Sequence, residues 1–474
     1  MNKQSANVIL WFRRDLRLRD HPALAAACAT GRPVIPVCIL DPETEALGAA
    51  PKWRWGQGVA RFAETLAAHG AQLMLQRGAA LEVLQSLVAE TGARDVYWSR
   101  LYDPASVARD TAVKSALKAK GIVARSFPGH LMYEPWTART KTGGFYKAYT
   151  PFWKSRRLHP VDPLVPAPVR IPAPDTWPVS ERLADWHLDC AMRRGGPVLA
   201  AHARVGERAA QARLDWFVDK RLSSYAVLRD VPAEDGTSGL SEHLALGELS
   251  PRRCWWAAGR LFDAGSAGAE TFRKELVWRE FAYHLMHHTP HIITRNWKPD
   301  WDRFPWNSDA THPHVLAWKQ GRTGIEFVDA AMRELYVTGR MHNRARMIVA
   351  SYLTKHLLTH WQIGQAWFDT RLTDWDPANN AMGWQWSAGS GPDAAPYFRV
   401  FNPVTQLNKF DKDRRYTRHW LAETVSNPSD DALSFFDAAP PQWGLKPTDA
   451  YPNPIITAED GRKRALQAYE SRGF

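Results

Sequence analysis

Cysteine is scarce in this chain: four in 474 residues, Cys28, Cys38, Cys190 and Cys254. No two stand at the spacing of a metal knuckle or a dithiol motif, so a zinc or iron–sulfur centre is not expected. Scattered single thiols suit a reducing cytoplasm. No uncharged apolar run approaches the length of a membrane span, the N-terminus lacks the pattern of a secretory signal, and there is no long low-complexity tail. The N-terminal portion has no G-x-G-x-x-G, which leaves a nicotinamide-binding reading without support. Acidic side chains are in deficit: 49 Asp and Glu against 61 Lys and Arg, a formal charge of +12 and a pI of about 9.5. Such a surplus favours a polyanionic partner, nucleic acid ahead of a membrane surface, although solubility charge with no partner also fits. Tryptophan, by contrast, is abundant, with 23 residues. That suits core and rim packing, and equally base stacking and electron transfer.

The length allows two domains, each with its own core. Apolar runs at 7–12 (NVILWF), Val34–Leu40, 72–76, Asp95–Ser99 and Val123–Phe127 read as strands. Helical patterns at 22–29, 59–68, 80–90 and 107–120 lie between them. This alternation predicts a doubly wound parallel α/β domain over 1–130. Residues 131–205 hold YKAYTPFWKSRR (146–157) and a proline-rich run at 160–178. Proline at that density cannot continue a helix or central strand, so an extended connector is expected. From about residue 209 the pattern is helical to the end, which predicts a larger all-α domain over 206–474.

The densest chemistry is at 373–402, TDWDPANNAMGWQWSAGSGPDAAPYFRVFN. It holds Asp374 and Asp376, an Asn pair, Trp384 and Trp386, and a Gly/Ser/Pro turn run ending in Tyr397, Phe398 and Arg399. A plain core helix would not carry so many polar groups among aromatics, because each must find a partner when buried. The stretch reads as the wall of a cofactor pocket. Residues two apart on a helix point to nearly opposite sides, so one tryptophan faces inward and the other a cavity. The two aspartates also read as paired carboxylates for hydrolysis, but no metal site or nucleophile stands near them. GTSGLS (236–241) precedes a helix start near Ser241; it suits a phosphate, and equally a simple helix cap. Glu275, Trp278 and Arg279 share one helix face, by spacing alone a surface ion pair with a packed indole. Asn343, Arg346 and Met347 repeat that spacing, with an amide and a soft thioether on one face. Arg346, if buried, needs a partner, and Asp374 is the natural one.

WQW and GPDAAPYFRVFNP, with LWFRRDLRLRDHPAL (10–24), GTSGLSEHLALGELSPR (236–252), ELVWREF (275–281) and GRMHNRARM (339–347), resemble the photolyase/cryptochrome flavoproteins over nearly the whole chain. Within that family they are most similar to the members acting on cyclobutane pyrimidine dimers. The resemblance implies FAD as cofactor. Tyr225, Thr237, Ser238, Gly239, Leu240 and Ser241 would stand at its diphosphate. Phe272, Glu275, Arg279, Asn343, Arg346, Asp374, Asp376 and Asn380 would line the remainder, with Asn380 toward flavin N5. Phe272 stands where relatives often carry Trp. Trp384, Trp361 and Trp306 match an electron relay from flavin to surface; without the resemblance they are three ordinary buried tryptophans. The implied catalytic set is Glu275, Asn343, Met347, Trp278 and Trp386, the two tryptophans walling a lesion pocket. UV-damaged DNA would be held there, with Arg229, Arg344, Arg399 and Lys409 on its phosphates.

Relatives that repair the (6-4) photoproduct carry His where Asn343 stands, and plant cryptochromes carry Asp where Asn380 stands. Both neutral amides therefore favour a light-driven dimer lyase, as does the absence of a C-terminal signalling extension. The alternative is a blue-light photoreceptor of the cryptochrome type that signals through a protein partner. Tyr102-Asp103-Pro104 lies where folate-binding relatives present an acidic or amide pair, which leaves methenyltetrahydrofolate, a deazaflavin or no antenna open. The expectation is a monomeric bacterial enzyme of the cytoplasm, held at the nucleoid through DNA.

Overall fold

The computed structural model describes residues 6–393 and 398–474; Tyr397 of the pocket motif lies outside the described residues. Strands β1 (Val8–Phe12), β2 (Val34–Leu40), β3 (Met74–Arg77), β4 (Asp95–Ser99) and β5 (Val123–Phe127) form one parallel sheet in the order β3-β2-β1-β4-β5. Val8 of β1 sits between Val34 of β2 and Asp95 of β4. VILWF and VIPVCIL are buried along their whole length, as strands covered by helices on both faces must be. The covering helices include Pro22–Cys28, Ala49–Ala68, Ala80–Thr91 and Pro104–Ala119. The second begins ten residues before the expected position, because Pro51, Gly56 and Gly58 weaken its local signal. The third strand lies slightly later than the expected 72–76.

The proline-rich segment is irregular, as proline demands, but it is not a loose tether. The Pro172 carbonyl accepts from Val34 N at 2.8 Å, and Glu181 N donates to Leu75 O at 2.9 Å. Ser180 Oγ accepts from Leu75 N at 2.9 Å. The two bonds to Leu75 cover the β3 edge of the sheet, which would otherwise offer unpaired backbone groups. Trp186 stacks on Trp55 with centroids 5.9 Å apart. Within 131–205 lie two helices, Tyr149–Arg156 and Gly195–His202.

Beyond residue 206 the described residues are helix and loop, apart from a lone bridge between Asn307 and Thr359. Helix Ala267–His288 runs against Tyr225–Leu228 on one side and Pro377–Ala388 on another. Pro377–Ala388 also packs on Asn343–Ser351 and Trp361–Arg371. The sheet domain docks on this helical body through buried charge. Arg54 makes a two-pronged pair with Glu248 at 2.9 and 2.8 Å. Arg252 does the same with Asp20 at 3.1 and 2.7 Å. Arg17 donates to the carbonyls of Gly129 and Gly247.

Candidate active site

Helix Pro377–Ala388 starts where it does because Asp376 caps it. The Oδ1 atom accepts from the backbone and side-chain nitrogens of Asn379, both at 2.9 Å, with Pro377 in the first turn. Asp376 Oδ2 accepts from the Tyr283 hydroxyl at 2.6 Å. His130 Nε2 stands 2.8 Å from the Tyr283 hydroxyl and 2.9 Å from Arg279 Nη2. Asp376 and Arg279, both expected at the cofactor, are thus joined through Tyr283 and His130 to the domain junction. Asp374 Oδ2 takes the expected bond from Arg346 at 2.7 Å. Its Oδ1 is buried and has no partner among the described residues. Thr373 Oγ1 bonds to Glu242 and to the Gly339 carbonyl. These links gather segments 236–245, 267–288, 339–351 and 373–388 around one centre.

One face of Pro377–Ala388 is left open. Asn380, Gly383 and Trp386 recur at i, i+3 and i+6. Gly383 is exposed although its helix packs on three others, and a Cβ built on it meets nothing within 4 Å. Trp384 points the other way, 2% exposed, edge-on to Phe368 at 5.0 Å. The two tryptophans diverge, as helix geometry requires. Asn380 is half-buried, its Nδ2 3.4 Å from Gln365 O. Asn343 is exposed and its amide lies 4.0 Å from Met347 Sδ. His342 caps that helix by accepting from Arg344 N; burial holds its pKa down at about 4, so a neutral imidazole does the capping. Glu275 and Trp278 are half-buried on Ala267–His288. Trp278 stacks on Tyr149 at 3.6 Å, and the Tyr149 hydroxyl donates to Lys274 O at 2.7 Å. Tyr149 is a support that sequence reasoning missed; the aromatic run YKAYTPFW was its only signal.

At the other end, Arg213 holds loop 236–240 from behind. It pairs with Asp235 through two bonds and donates to Ser238 O at 2.7 Å and Thr237 O at 2.8 Å. With those carbonyls turned back, the residues Thr237, Ser238 and Gly239 remain half-exposed and Ser241 exposed. Gly239 takes a φ of +62° that favours glycine. Leu240 is buried, and no side chain caps Ser241–Ala245, so its first amides are free for an anion. Tyr225 meets Phe272 edge-on at 5.9 Å, both buried.

The four expected phosphate contacts divide into two kinds. Arg229 is 2.5 Å from Glu275 and Arg344 is 2.7 Å from Asp230, whereas Lys409 and Arg399 are exposed. Glu275, expected on the lesion, is therefore already oriented by Arg229.

The three expected relay tryptophans form a path. Trp384 packs on Gly364, one turn after Trp361 in the same helix. His360 lies between Trp361 and Trp306, with ring centroids at 5.6 and 5.0 Å. Trp361 is fully buried and Trp306 half-buried, so the path runs outward. A Cβ on Gly364 would overlap the Trp384 ring. Gly364→Ala is therefore expected to lower stability by ~1–3 kcal/mol through overpacking. Helix propensity alone gives the opposite sign, by about 1 kcal/mol. Thermal unfolding of the purified variant distinguishes the two.

An unpartnered carboxylate oxygen, an uncapped helix start and a glycine facing open space fit an elongated ligand with a phosphate end and a ring end. Fold and site define a two-domain cofactor-binding protein, an α/β domain docked on a helical one. Comparison with known proteins makes this specific. Residues 8–172 match the family model described as DNA photolyase, and residues 272–471 match the FAD binding domain of DNA photolyase. The chain is 43% identical over 478 residues to a deoxyribodipyrimidine photo-lyase of Agrobacterium fabrum, covering 99% of this chain and 98% of the relative. A bacterial class III photolyase from Agrobacterium tumefaciens superposes with a TM-score of 0.90 at 41% identity, over 100% of this chain and 98% of that one. An archaeal photolyase from Sulfolobus tokodaii, solved with two FAD molecules, gives 0.80 at 26% identity, over 98% and 99%. The chain belongs to the DNA photolyase family, and its helical domain is the FAD-binding one.

Proposed function

We propose that this protein splits cyclobutane pyrimidine dimers in DNA by light-driven electron transfer. The observation that carries the reading is the open face itself. Glu275, Trp278, Asn343, Met347 and Trp386, from Pro377–Ala388 and two helices packed on it, stay partly exposed, and Gly383 leaves open space on the Trp386 side of its helix. Reduced FAD, when bound, supplies light-driven one-electron chemistry. The rest falls to the chain. Basic side chains hold DNA by its phosphates, and the dimer flips out at low cost because a damaged pair stacks and pairs poorly. Trp278, braced by Tyr149, and Trp386 flank it. Glu275 and Asn343 hydrogen-bond its carbonyls, where negative charge develops. Asn343 and Asn380 offer no titrating proton, which favours this reaction over (6-4) repair and over a photoreceptor. Trp384, Trp361 and Trp306 would conduct electrons between the surface and the cofactor position.

The cofactor contacts of this reading are Tyr225, the 237–241 loop, Phe272, Arg279, Arg346, Asp374, Asp376 and Asn380. Residues 1–130 form the antenna-type domain, 131–205 the connector and 206–474 the FAD- and DNA-binding domain. The antenna itself stays open: Asp103 caps Pro104–Ala119 and pairs with Arg14 at 3.3 Å, which supports a structural use of the position where folate-binding relatives present an acidic or amide pair. No helix among the described residues is long and apolar enough to cross a membrane. The reading places a monomer in the bacterial cytoplasm, at the DNA.

The test is repair of an oligonucleotide carrying one thymine dimer, followed as restored base absorbance under blue light against a dark control. Glu275→Ala is expected to lower the repair rate about tenfold, the loss of one hydrogen bond to a developing charge. Repair of a (6-4) oligonucleotide alone, or of neither lesion, would overturn the proposal.

A further inference from the structure

Behind Trp386 lies a second cavity, of about 360 Å³. It shares the Trp386 wall with the open face, but Glu275, Trp278, Asn343 and Met347 take no part in it. Its charge is one-sided. Among the described residues its side-chain cations are Lys298, Lys355, Arg399 and Arg472 and its side-chain carboxylate is Asp300, which is engaged by Arg303 at 3.4 Å.

Lys355 is the informative residue. It is 2% exposed and belongs to a π-helical turn, Tyr352–His356, that continues the Asn343–Ser351 helix. Such turns are rare and concentrate at functional sites. The ammonium donates to the Arg399 carbonyl at 3.2 Å and lies 3.5 Å from the Phe398 ring centroid. Among the described residues no carboxylate pairs with it, and burial pushes its pKa down to about 7. A buried cation without a counter-ion is costly; an anion entering the cavity relieves that cost. Arg472 adds a second charge, bonded to the Tyr469 carbonyl and 3.6 Å over the Tyr469 ring. Phe401, half-buried and without a ring partner among the described residues, supplies ring surface on the same lining. Cations set among aromatic faces bind a nucleotide, the phosphate on charge and the base on a ring. The volume sits at the low end of small-ligand pockets, roughly 300–1,000 Å³, and suits a single unit.

We propose that this cavity holds one nucleotide of the damaged strand next to the flipped-out dimer, its phosphate at Lys355 and Arg472 and its base against Phe401. The proposal rests on reading the open face as the dimer site, because Trp386 is assigned to both and a strand held at one continues to the other.

The experiment uses the full chain and an oligonucleotide with one thymine dimer, 2-aminopurine being placed in turn at each neighbouring position. In the wild-type protein one flanking position is quenched by stacking, and it lies on one side of the dimer only. Arg472→Gln and Phe401→Ala abolish that quenching and weaken binding about tenfold, the scale of one stacked base. Arg472→Gln also lowers the salt slope by about one. Both losses disappear on oligonucleotides cut at the dimer on that side. No quenched flanking position in the wild type overturns the proposal without recourse to any variant. Losses that persist on the cut oligonucleotide overturn it too. Quenching of free 2-aminopurine nucleotide, with none in DNA, assigns the cavity to a free ligand and also overturns it. Light-dependent repair by the wild-type protein is scored separately. Its absence removes the dimer-site reading, whereas its presence with a flat aminopurine scan removes only this one.

Discussion

Gly383→Leu is expected to give a folded protein that has lost dimer repair by more than ~10²-fold, the scale set when a reacting group is displaced by an ångström or more. The argument is geometric. Pro377–Ala388 packs on helices Ala267–His288, Trp361–Arg371 and Asn343–Ser351, so a residue in its middle should be buried. Gly383 is exposed, with nothing within 4 Å of a Cβ. A glycine inside a helix costs about 1 kcal/mol relative to alanine, and this one has no packing reason to be there. Its neighbours on that face, Asn380 and Trp386, are the residues proposed at the flavin and at the dimer. A four-carbon side chain fills the space both need. Because leucine is the better helix former, the melting temperature without cofactor is expected to stay level or rise slightly. The visible flavin absorbance of the purified protein and the thymine-dimer repair assay are the readouts. Normal flavin content together with normal repair would show that the space at Gly383 is not used. A fall in melting temperature would show that it is packed in solution.

How far such a site is legible in sequence depends on how local its contacts are. β1 and β2 are readable because strands buried on both faces are nearly all apolar. The faces Glu275/Trp278 and Asn343/Met347 follow from helical spacing, and the Arg346–Asp374 pair from the demand that a buried cation be matched. The Asp-Pro start of Pro377–Ala388 carried a cap signal in plain view; Asp376 was expected as a cofactor ligand, and in the structure its carboxylate caps this helix and accepts from Tyr283. The supports were not legible. Tyr283 lies 93 residues from Asp376, and Arg54 194 residues from Glu248. No periodicity connects such positions; they meet because the chain folds back. Tyr149 under Trp278 and Arg213 behind the 236–240 loop belong to the same class. Gly383 is a different kind of omission: the run AMGWQW put a glycine where a helix would not choose one, and that was the signal of open space.

The pair joining the two domains carries the second large effect. Arg54→Ala is expected to destabilise the protein by roughly 3–5 kcal/mol, the usual cost of stripping one partner from a buried ion pair. Both side chains are fully buried, and Glu248 also takes a bond from His243 Nδ1 at 2.5 Å. Burial alone would raise the Glu248 carboxyl, but the bonds from His243 and Arg54 outweigh it and hold the pKa down at about 2. A carboxylate whose pKa is lower folded than unfolded contributes stability that is present above the unfolded value, near 4.3, and lost as pH falls toward the folded one. The contribution is therefore full at pH 7 and disappears between about pH 4.5 and 2. Arg54→Ala should accordingly show its full deficit in urea unfolding at pH 7, and a deficit that narrows below pH 4.5. Replacing both partners with apolar residues of similar size, Arg54→Met with Glu248→Leu, removes the uncompensated charge of Glu248 and is expected to recover part of the loss, although buried Glu242, 3.7 Å from Arg54 Nε, still loses that cation. His243 would still lack its acceptor, so recovery should stop short of wild type. A single replacement that costs less than about 1 kcal/mol would mean that water reaches this junction in solution, and that the domains are held by the surrounding apolar contacts instead.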